Sequence, residues 1–335
     1  MPGEDAEKLR AGLWGVYASH RHFQGRDREA ITWGLRAAEA CEAAHDKEGL
    51  AQALVSLSLA YADTGDLQQS ERYSERALAI FEELGDLQAQ AQVLNNMGTS
   101  AYFAGRWDDA VARWERSREL RLETGDAVEA ANGTNNVAEV LSDQGHLEAA
   151  EPRFREALRV WKAAGFEQGV AFVQANLGRV AYRAGRPDEA LPLLQGARTT
   201  FADAGYIAQV LETDARIAEC DVVAKRPDDA LAVAGGALAV ESSRGGLGFQ
   251  RPALLRVRGY ALAQLGKVTD AIEAMQESLA VAREREADHE IAFTLCGLAD
   301  IAALEPVAYD EALEEERLAL FERLGIVRAP AFPLD

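Results

Sequence analysis

The chain has 335 residues, of which 48% are hydrophobic and 27% are charged, enough for two or three globular domains or for one extended repeat domain. Its formal net charge of −20 argues against binding to nucleic acid or to anionic membranes, because both are negatively charged and would repel it. We expect no secretory signal in MPGEDAEKLR, and no apolar run is long enough to span a bilayer. The three cysteines, Cys41, Cys220 and Cys296, lie far apart on apolar stretches, which indicates free buried thiols and a cytoplasmic protein.

The sequence repeats with a period of 40 residues. One glycine series recurs at this interval, and Lys225 and Gly266 continue it: Gly25, Gly65, Gly105, Gly145 and Gly185. Five residues after each member comes a small residue: Ala30, Ser70, Ala110, Ala150, Ala190, Ala230 and Ala271. A second glycine series closes each period: Gly85, Gly125, Gly165, Gly205 and Gly245. A fixed period of this length is typical of helical repeat proteins.

Each period predicts two helices. In residues 89–125, apolar and small residues from Leu94 to Ala101 follow the spacing of one buried helical stripe. Gly105 then ends the first helix, and a second begins near Trp107. Gly98 and Ala110 are small because two helices that cross closely leave no room for a longer side chain. The predicted fold is therefore all-α, a solenoid of about eight helix-turn-helix units.

The predicted domain organisation follows these periods. We expect an N-terminal tail over residues 1–9, one solenoid over residues 10–327 and a C-terminal tail over residues 328–335. The units lie near residues 10–48, 49–88, 89–128, 129–168, 169–208, 209–248, 249–289 and 290–327. The last unit is degenerate, with a loop insertion around Pro306. Pro152 and Pro192 stand where helix interiors are expected, which predicts a kink or a late helix start in both units.

The motifs LNNMG, YFAGRWDDA and LETGD resemble those of tetratricopeptide repeats of the 40-residue variety. The resemblance covers residues 10–327 and implies a right-handed superhelix whose concave face binds a partner. Three stretches also resemble the C-terminal repeat arm of actinobacterial signalling ATPases, many of which follow a class III adenylate or guanylate cyclase domain. They are ETDARIAECDVVAKRPDDALAVA, LLRVRGYALAQLGK and FERLGIVRAPAFPLD.

The face opposite the buried stripe of each first helix is the candidate site. Asn96, Asn136 and Asn176 share one position of the repeat, which predicts a ladder along a groove, with Arg216 as the next member. An asparagine amide both donates and accepts hydrogen bonds, and the family resemblance implies that these asparagines clamp a peptide backbone. The remaining candidates on this face are Phe103, Phe172, Arg179 and Arg183. Arginine forks suit carboxylates, so the partner segment is expected to be acidic. An ordinary solvated face explains the same residues.

Sequence patterns for catalysis or metal binding are not found. His20 and His22 point about 200° apart on a helix, and His289-Glu290 lacks the second histidine of a zinc-protease motif. We therefore expect no enzymatic activity, no metal and no cofactor. The leading hypothesis is a protein-interaction scaffold or regulatory arm that binds a protein or peptide segment. The alternative is a small-molecule sensor that closes over a metabolite or nucleotide, with Phe103, Phe172 and Tyr182 as its walls, and controls an output domain. The chain is expected to be a monomer or a weak homo-oligomer, with self-association as a third possibility.

Overall fold

The computed structural model describes residues 2–243, 250–304 and 309–334, with side chains from residue 7 onward. Within these ranges the chain forms sixteen α-helices and no strand, so the predicted all-α repeat fold is confirmed. Gly245 and the loop expected around Pro306 lie outside the described residues. In the described part of the chain, no helix has both the length and the apolar character needed to cross a membrane.

The helices alternate between first and second members of each repeat. The first helices are α1 (Pro2–Phe23), α3 (Lys47–Asp63), α5 (Leu87–Phe103), α7 (Ala127–Asp143), α9 (Glu167–Arg183), α11 (Ile207–Val223), α13 (Arg251–Gln264) and α15 (Asp288–Ala302). The second helices are α2 (Asp27–Ala43), α4 (Leu67–Leu84), α6 (Trp107–Glu123), α8 (Leu147–Ala163), α10 (Pro187–Asp203), α12 (Pro227–Ser243), α14 (Val268–Glu284) and α16 (Glu311–Leu324).

The contacts divide the chain into two compact units. The first unit consists of Met1–Phe103 and Asp108–Gly133, and the second of Ala104–Trp107 and Thr134–Asp335. Consecutive helices pack against each other from α1 to α5 and from α8 to α16, and first helices such as α1 and α3, or α9 and α11, are also in contact.

Gly-Asp pairs connect consecutive helices of the first unit. Gly85 adopts φ +70°, in the left-handed region that ends a helix without strain for glycine. The side chain of Asp86, the next residue, accepts a hydrogen bond from the Ala89 amide at 3.0 Å and so caps the following helix. Asp66 and Asp126 cap α4 and α7 in the same way. The pair thus ends one helix and starts the next within two residues.

Small residues allow the helices of a repeat to cross closely, as predicted. A Cβ atom added at Gly98 would lie 2.6 Å from Nε1 of Trp114, and Ala110 is fully buried. In the second unit, a Cβ atom at Gly178 would lie 2.7 Å from Cγ of Leu194. These distances are below van der Waals contact, so a larger residue at either glycine would force the helices apart.

Two predictions about where helices begin differ from the structure. Pro152 and Pro192 both lie inside their helices, α8 and α10, which begin five residues earlier at Leu147 and Pro187. A late helix start is therefore wrong for both units, because each proline sits beyond the first turn of a helix already formed. Residues 2–9, expected as a tail, belong to α1. The C-terminal residues are extended and partly buried, and their contacts are described below.

The cysteines are free thiols, as expected. Cys41 and Cys220 are buried and Cys296 is half-buried, and none forms a disulfide. Burial raises the pKa of the Cys220 thiol to about 12 and that of Cys296 to about 11. Because the thiolate is the nucleophile, both side chains are held in an unreactive form at neutral pH.

Candidate partner-binding site

The inner face is defined here as the side of each first helix opposite the stripe that packs on the second helices. In the first unit it includes residues of α1, α3 and α5 at equivalent repeat positions: Val16, Phe23, Gln52, Ser56, Leu59, Asp63, Gln92, Asn96 and Phe103. In the second unit it includes the predicted site residues of α7, α9 and α11: Asn136, Phe172, Asn176, Arg179, Arg183 and Arg216.

The inner face of the first unit is open and mostly uncharged. Phe23 is 86% exposed and Phe103 is 57% exposed, and Val16 also lies largely in solvent. Asn96 is half-buried and accepts a hydrogen bond from Nε2 of Gln92 at 3.1 Å. Large apolar side chains that stay in solvent beside amide groups form a surface suited to a partner.

The inner face of the second unit is closed, contrary to expectation. Asn176, Arg179 and Arg216 are 3%, 6% and 8% exposed, so they do not line an open groove as expected. Arg183 and Arg256 both lie over the ring of Phe293 on α15, at 5.7 and 5.6 Å from its centroid. The physical reason is that α15 brings an aromatic side chain across the inner face, so that the long polar side chains meet groups of other helices.

The asparagine ladder exists in this unit, but through a different residue. Asn176 donates to Oδ1 of Asn135 at 3.0 Å and accepts from Nη1 of Arg216 at 3.0 Å. Asn136, the predicted member, is half-buried and accepts from Asn135 at 3.3 Å. Since the amides bind each other and a guanidinium, the ladder connects three repeats of the chain itself.

The three predicted arginines are paired with carboxylates of the same unit. Nη1 of Arg179 and Nη1 of Arg183 both lie 3.0 Å from Oδ1 of Asp143. Arg179 also reaches Glu139 at 3.2 Å, and Arg216 reaches the same carboxylate at 3.5 Å. Burial raises the pKa of Glu139 although both guanidinium groups oppose the shift. This pairing removes the physical reason for expecting an acidic partner at Arg179, Arg183 and Arg216.

A second buried network was not anticipated from the sequence. Tyr182, expected as a possible pocket wall, is buried and donates its hydroxyl hydrogen bond to Glu219. Glu219 pairs with Arg256 at 3.2 Å, and Arg256 also binds Glu290. Burial alone would raise the pKa of the Glu290 carboxyl, but the Arg256 guanidinium and His289 lower it to about 2. The network thus holds a charged carboxylate between helices α13 and α15.

Phe172 is the remaining predicted residue, and it lies in the first half of α9. It is 37% exposed, and its ring packs against that of Phe201 at 4.9 Å between centroids. Phe172 and Phe103 therefore keep part of their surface in solvent, whereas Tyr182 does not.

The C-terminal segment, residues 326–334, occupies a surface of the second unit. The Val327 amide donates to the Gln144 carbonyl at 2.9 Å. Five residues later, the ring of Phe332 packs on Tyr260 at 4.4 Å between centroids. Nε2 of Gln264 donates to the carbonyl of Pro333 at 2.6 Å. Residues expected as a tail therefore run from the end of α7 to the end of α13, which no sequence pattern predicted.

A small cluster near the end of α1 has the composition of a metal ligand set. Among the described residues, His22, Asp27 and Asp63 bring one ligand atom each within 4.8 Å of one another. Nδ1 of His22 lies 2.8 Å from Asp27, a normal hydrogen-bond distance. This hydrogen bond accounts for the arrangement without an ion. No sequence pattern predicted this cluster, because the three residues come from two repeats.

Comparison with known proteins identifies the repeats. The sequence profile of the tetratricopeptide repeat family matches residues 9–83, 89–163 and 129–203, which together exceed half of the chain. No curated protein is significantly similar to the sequence.

Several solved structures share the fold. The apo form of RapI superposes with a TM-score of 0.70 at 14% identity, covering 82% of this chain and 98% of RapI. A Rap conjugation gene regulator in complex with a peptide gives 0.66 at 14% identity, with 95% and 94% covered. A Signal Transduction ATPase with Numerous Domains from Pyrococcus horikoshii, which has a tetratricopeptide repeat sensor, gives 0.58 at 17% identity. That match covers 92% of this chain and 44% of the archaeal protein.

Proposed function

Because the chain belongs to the tetratricopeptide repeat family, we propose that it is a non-enzymatic, cytoplasmic interaction scaffold or regulatory arm that binds a protein or peptide segment. The peptide-bound Rap regulator supports this function, since its fold is shared over nearly the whole chain. The partner segment lies on the inner face of the first helices, in the first unit in particular.

The open inner face of the first unit carries the proposal. Phe23 and Phe103 occupy equivalent repeat positions at the ends of α1 and α5, and both remain largely in solvent. Folding alone would favour burying such rings, so their exposure is more easily explained by a partner. Apolar anchors of this kind supply most of the binding free energy in protein interfaces.

The amides between these anchors suit a peptide backbone. Gln52 and Gln92 are exposed, and Asn96 is half-buried beside Gln92. Each amide offers donors and an acceptor, so it can bind both the N–H and the C=O groups of an extended segment. Among the residues that define this face, Asp63 is the one charged side chain, and Arg121 of α6 reaches the face, where it donates to Oε1 of Gln92 at 3.0 Å. We therefore propose a neutral or weakly charged segment with apolar anchors as the partner.

The test is a binding measurement with the full chain. Random peptides displayed on phage are selected on the wild-type protein, and the affinity of a recovered peptide is measured by fluorescence anisotropy. The variant carries Asn96→Ala and Phe103→Ala, and we expect its binding to weaken by about tenfold or more, equivalent to 1.4 kcal/mol. A control variant carries Arg72→Ala and Glu75→Ala, two exposed residues of α4, and keeps the wild-type affinity.

Two results would contradict the proposal. One is a recovered peptide whose affinity is the same for the wild type and for the Asn96→Ala, Phe103→Ala variant. The other is an equal loss of affinity in the α4 control, which would place the peptide elsewhere. Circular dichroism and thermal melting of every variant separate lost binding from lost folding.

A small-molecule sensor is the second candidate function. The likeness to the archaeal ATPase with a repeat sensor and the resemblance to actinobacterial cyclase-linked arms support the same role. A nucleotide or metabolite that raises the melting temperature of the wild type, but not that of the Arg183→Met variant, would support the sensor function in place of the scaffold function.

A further inference from the structure

The C-terminal segment marks a second peptide-binding site that is independent of the inner face of the first unit. We propose that the surface beneath residues 326–334 binds an extended segment of a partner protein, and that the chain's own C-terminal segment is its displaceable occupant. The ligand has an aromatic residue at the place of Phe332, a backbone N–H directly after it, and a hydrogen-bond acceptor at the place of Pro330.

The bound segment shows how the site recognises an extended backbone. At one end, the Gln144 carbonyl accepts from the amides of Val327 and Arg328, at 2.9 and 3.4 Å. At the other end, the side-chain amide of Gln264 binds the carbonyl of Pro333. These contacts involve the peptide backbone, so they are available to any extended segment and do not depend on this sequence.

Side-chain contacts define the class of ligand. The Phe332 ring is only 7% exposed and lies against Tyr260, which provides an aromatic slot. The guanidinium of Arg328 binds the Gly145 carbonyl at 3.1 Å and Glu148 at 3.2 Å. A cation four residues before the aromatic residue therefore fits the same surface. Since Arg328 and Glu148 are both largely exposed, this contact adds less than the aromatic slot.

The C-terminal segment leaves polar groups of the site unsatisfied. Among the described residues, Oε1 of Gln264, Nε of Arg183 and Oγ of Ser142 are buried without a hydrogen-bond partner. Arg183 and Ser142 line a small cavity together with Ala329 and Pro330 of the segment. Prolines lack an N–H, and their side chains cannot accept a hydrogen bond. Pro333 thus has no N–H for Oε1 of Gln264, and the Pro330 side chain has no acceptor for Nε of Arg183.

A better ligand follows from two of these atoms, Oε1 of Gln264 and Nε of Arg183. A residue other than proline at position 333 has an N–H for Oε1 of Gln264, and an asparagine at position 330 has an acceptor for Nε of Arg183. Leaving a buried polar group unpaired opposes binding, so each replacement strengthens it. The segment also follows Gly325, whose φ of +66° marks the end of α16. Release of the segment beyond this glycine leaves the helix intact.

The test uses labelled peptides and the full chain. The first peptide has the sequence of residues 326–334, and the second carries Pro330→Asn and Pro333→Ala. In the chain, Phe332→Ala weakens the hold of the native segment on its site. We expect the first peptide to bind this variant at least about tenfold more tightly than the wild type. The second peptide is expected to bind still more tightly, and to lose most of its advantage when Gln264→Met is added to the chain.

The controls identify the site and the occupant. A peptide with Phe332→Ala tests the aromatic slot and should not bind. The Asn96→Ala, Phe103→Ala variant should bind both peptides as the wild type does, so failure here and failure of the proposed function are distinguishable. Hydrogen exchange of the wild-type chain provides a second measurement, in which excess second peptide should accelerate exchange at the Val327 amide.

Three results would overturn the proposal. The first is a folded Phe332→Ala chain, by circular dichroism and melting, that binds neither peptide. The second is binding that Gln264→Met does not weaken. The third is a concentration-dependent dimer of the wild type that exchanges C-terminal segments, which would make a second copy of the chain the occupant in place of a partner protein.

Discussion

The inner faces of the two units use the same repeat positions in opposite ways. In the first unit these positions carry neutral amides and exposed apolar side chains, such as Asn96 and Phe103. In the second unit they carry charges that bind one another, as Arg179 does with Asp143. The repeat therefore determines where an inner face lies, whereas the groups on the facing helices determine whether it is available to a partner.

The difference also concerns stability. Charges in the second unit are held in low-dielectric surroundings, where removal of one partner leaves the other uncompensated. The amides in the first unit have access to water, so their removal changes little. Substitutions that leave one unit stable and destabilise the other would make this comparison quantitative.

The largest effect is expected at Arg256. Arg256→Met removes the cation between Glu219 and Glu290 and leaves two largely buried carboxylates without it. We expect a loss of about 3–5 kcal/mol in the free energy of unfolding, measured by urea denaturation. Arg76→Met in the first unit is the control, because its ion pair with Glu42 is about half exposed. The control should change stability by about 1 kcal/mol or less.

The pH dependence of this network is expected to follow Glu290. The pKa of its carboxyl falls from the ordinary 4.5 to about 2 in the folded chain. The unfolded state therefore binds the proton more tightly, and the stabilisation is complete above pH 4.5 and disappears as the pH falls towards 2. At pH 7, Glu290→Gln should cost about 3 kcal/mol, since a tenfold change in proton affinity corresponds to about 1.4 kcal/mol.

The measurement is the difference in unfolding free energy between the wild type and Glu290→Gln at several pH values. Taking the difference removes the contribution of the other carboxylates, which titrate in both proteins. A difference that stays constant between pH 7 and pH 3 would show that Glu290 is not held in its charged form by Arg256.

Two equivalent asparagines provide the most direct comparison of the units. Asn176→Ala removes hydrogen bonds to Asn135 and Arg216 and leaves buried groups unpaired, which should cost about 1–3 kcal/mol. Asn96→Ala removes a half-exposed amide from a helix, where alanine is the better helix former, and should change stability by about 0.5 kcal/mol or less. Thermal and urea unfolding of both variants provide the values. Equal losses at the two positions would mean that the inner face of the first unit is also structural.

A small gain in stability is expected where a repeat closes with a residue other than glycine. His45 and Glu286 both adopt positive φ, of 50° and 52°, in place of the glycines that close the other repeats. His45→Gly in the first unit and Glu286→Gly in the second should each stabilise the chain by about 1 kcal/mol, because glycine is unstrained in this region. Differential scanning calorimetry would detect the rise in melting temperature. A lower melting temperature for either variant would show that its side chain makes a stabilising contact.

The sequence predicted the fold better than the site. Gly98 and Ala110 were recognised as crossing points from their spacing alone, and the structure confirms both. In the fourth repeat, the sequence predicted Asn136 as the member of the ladder, whereas the structure forms it through the preceding residue, Asn135. Helical periodicity assigns residues to a face of the helix, but it does not show which of two adjacent residues bonds to the next repeat. The burial of Arg216 was missed, since its neighbours Glu139 and Asn176 come from other repeats.

The 40-residue period by itself determined the helix pairs and the close crossings within each repeat. Those features depend on local backbone preferences and on contacts between adjacent helices, and the sequence of one repeat contains both. Only the tertiary structure decided which inner face is open and what the C-terminal segment covers. These features depend on residues far apart in the chain, such as Gln144 with Val327 and Arg183 with Phe293, and no local pattern records which distant groups will meet.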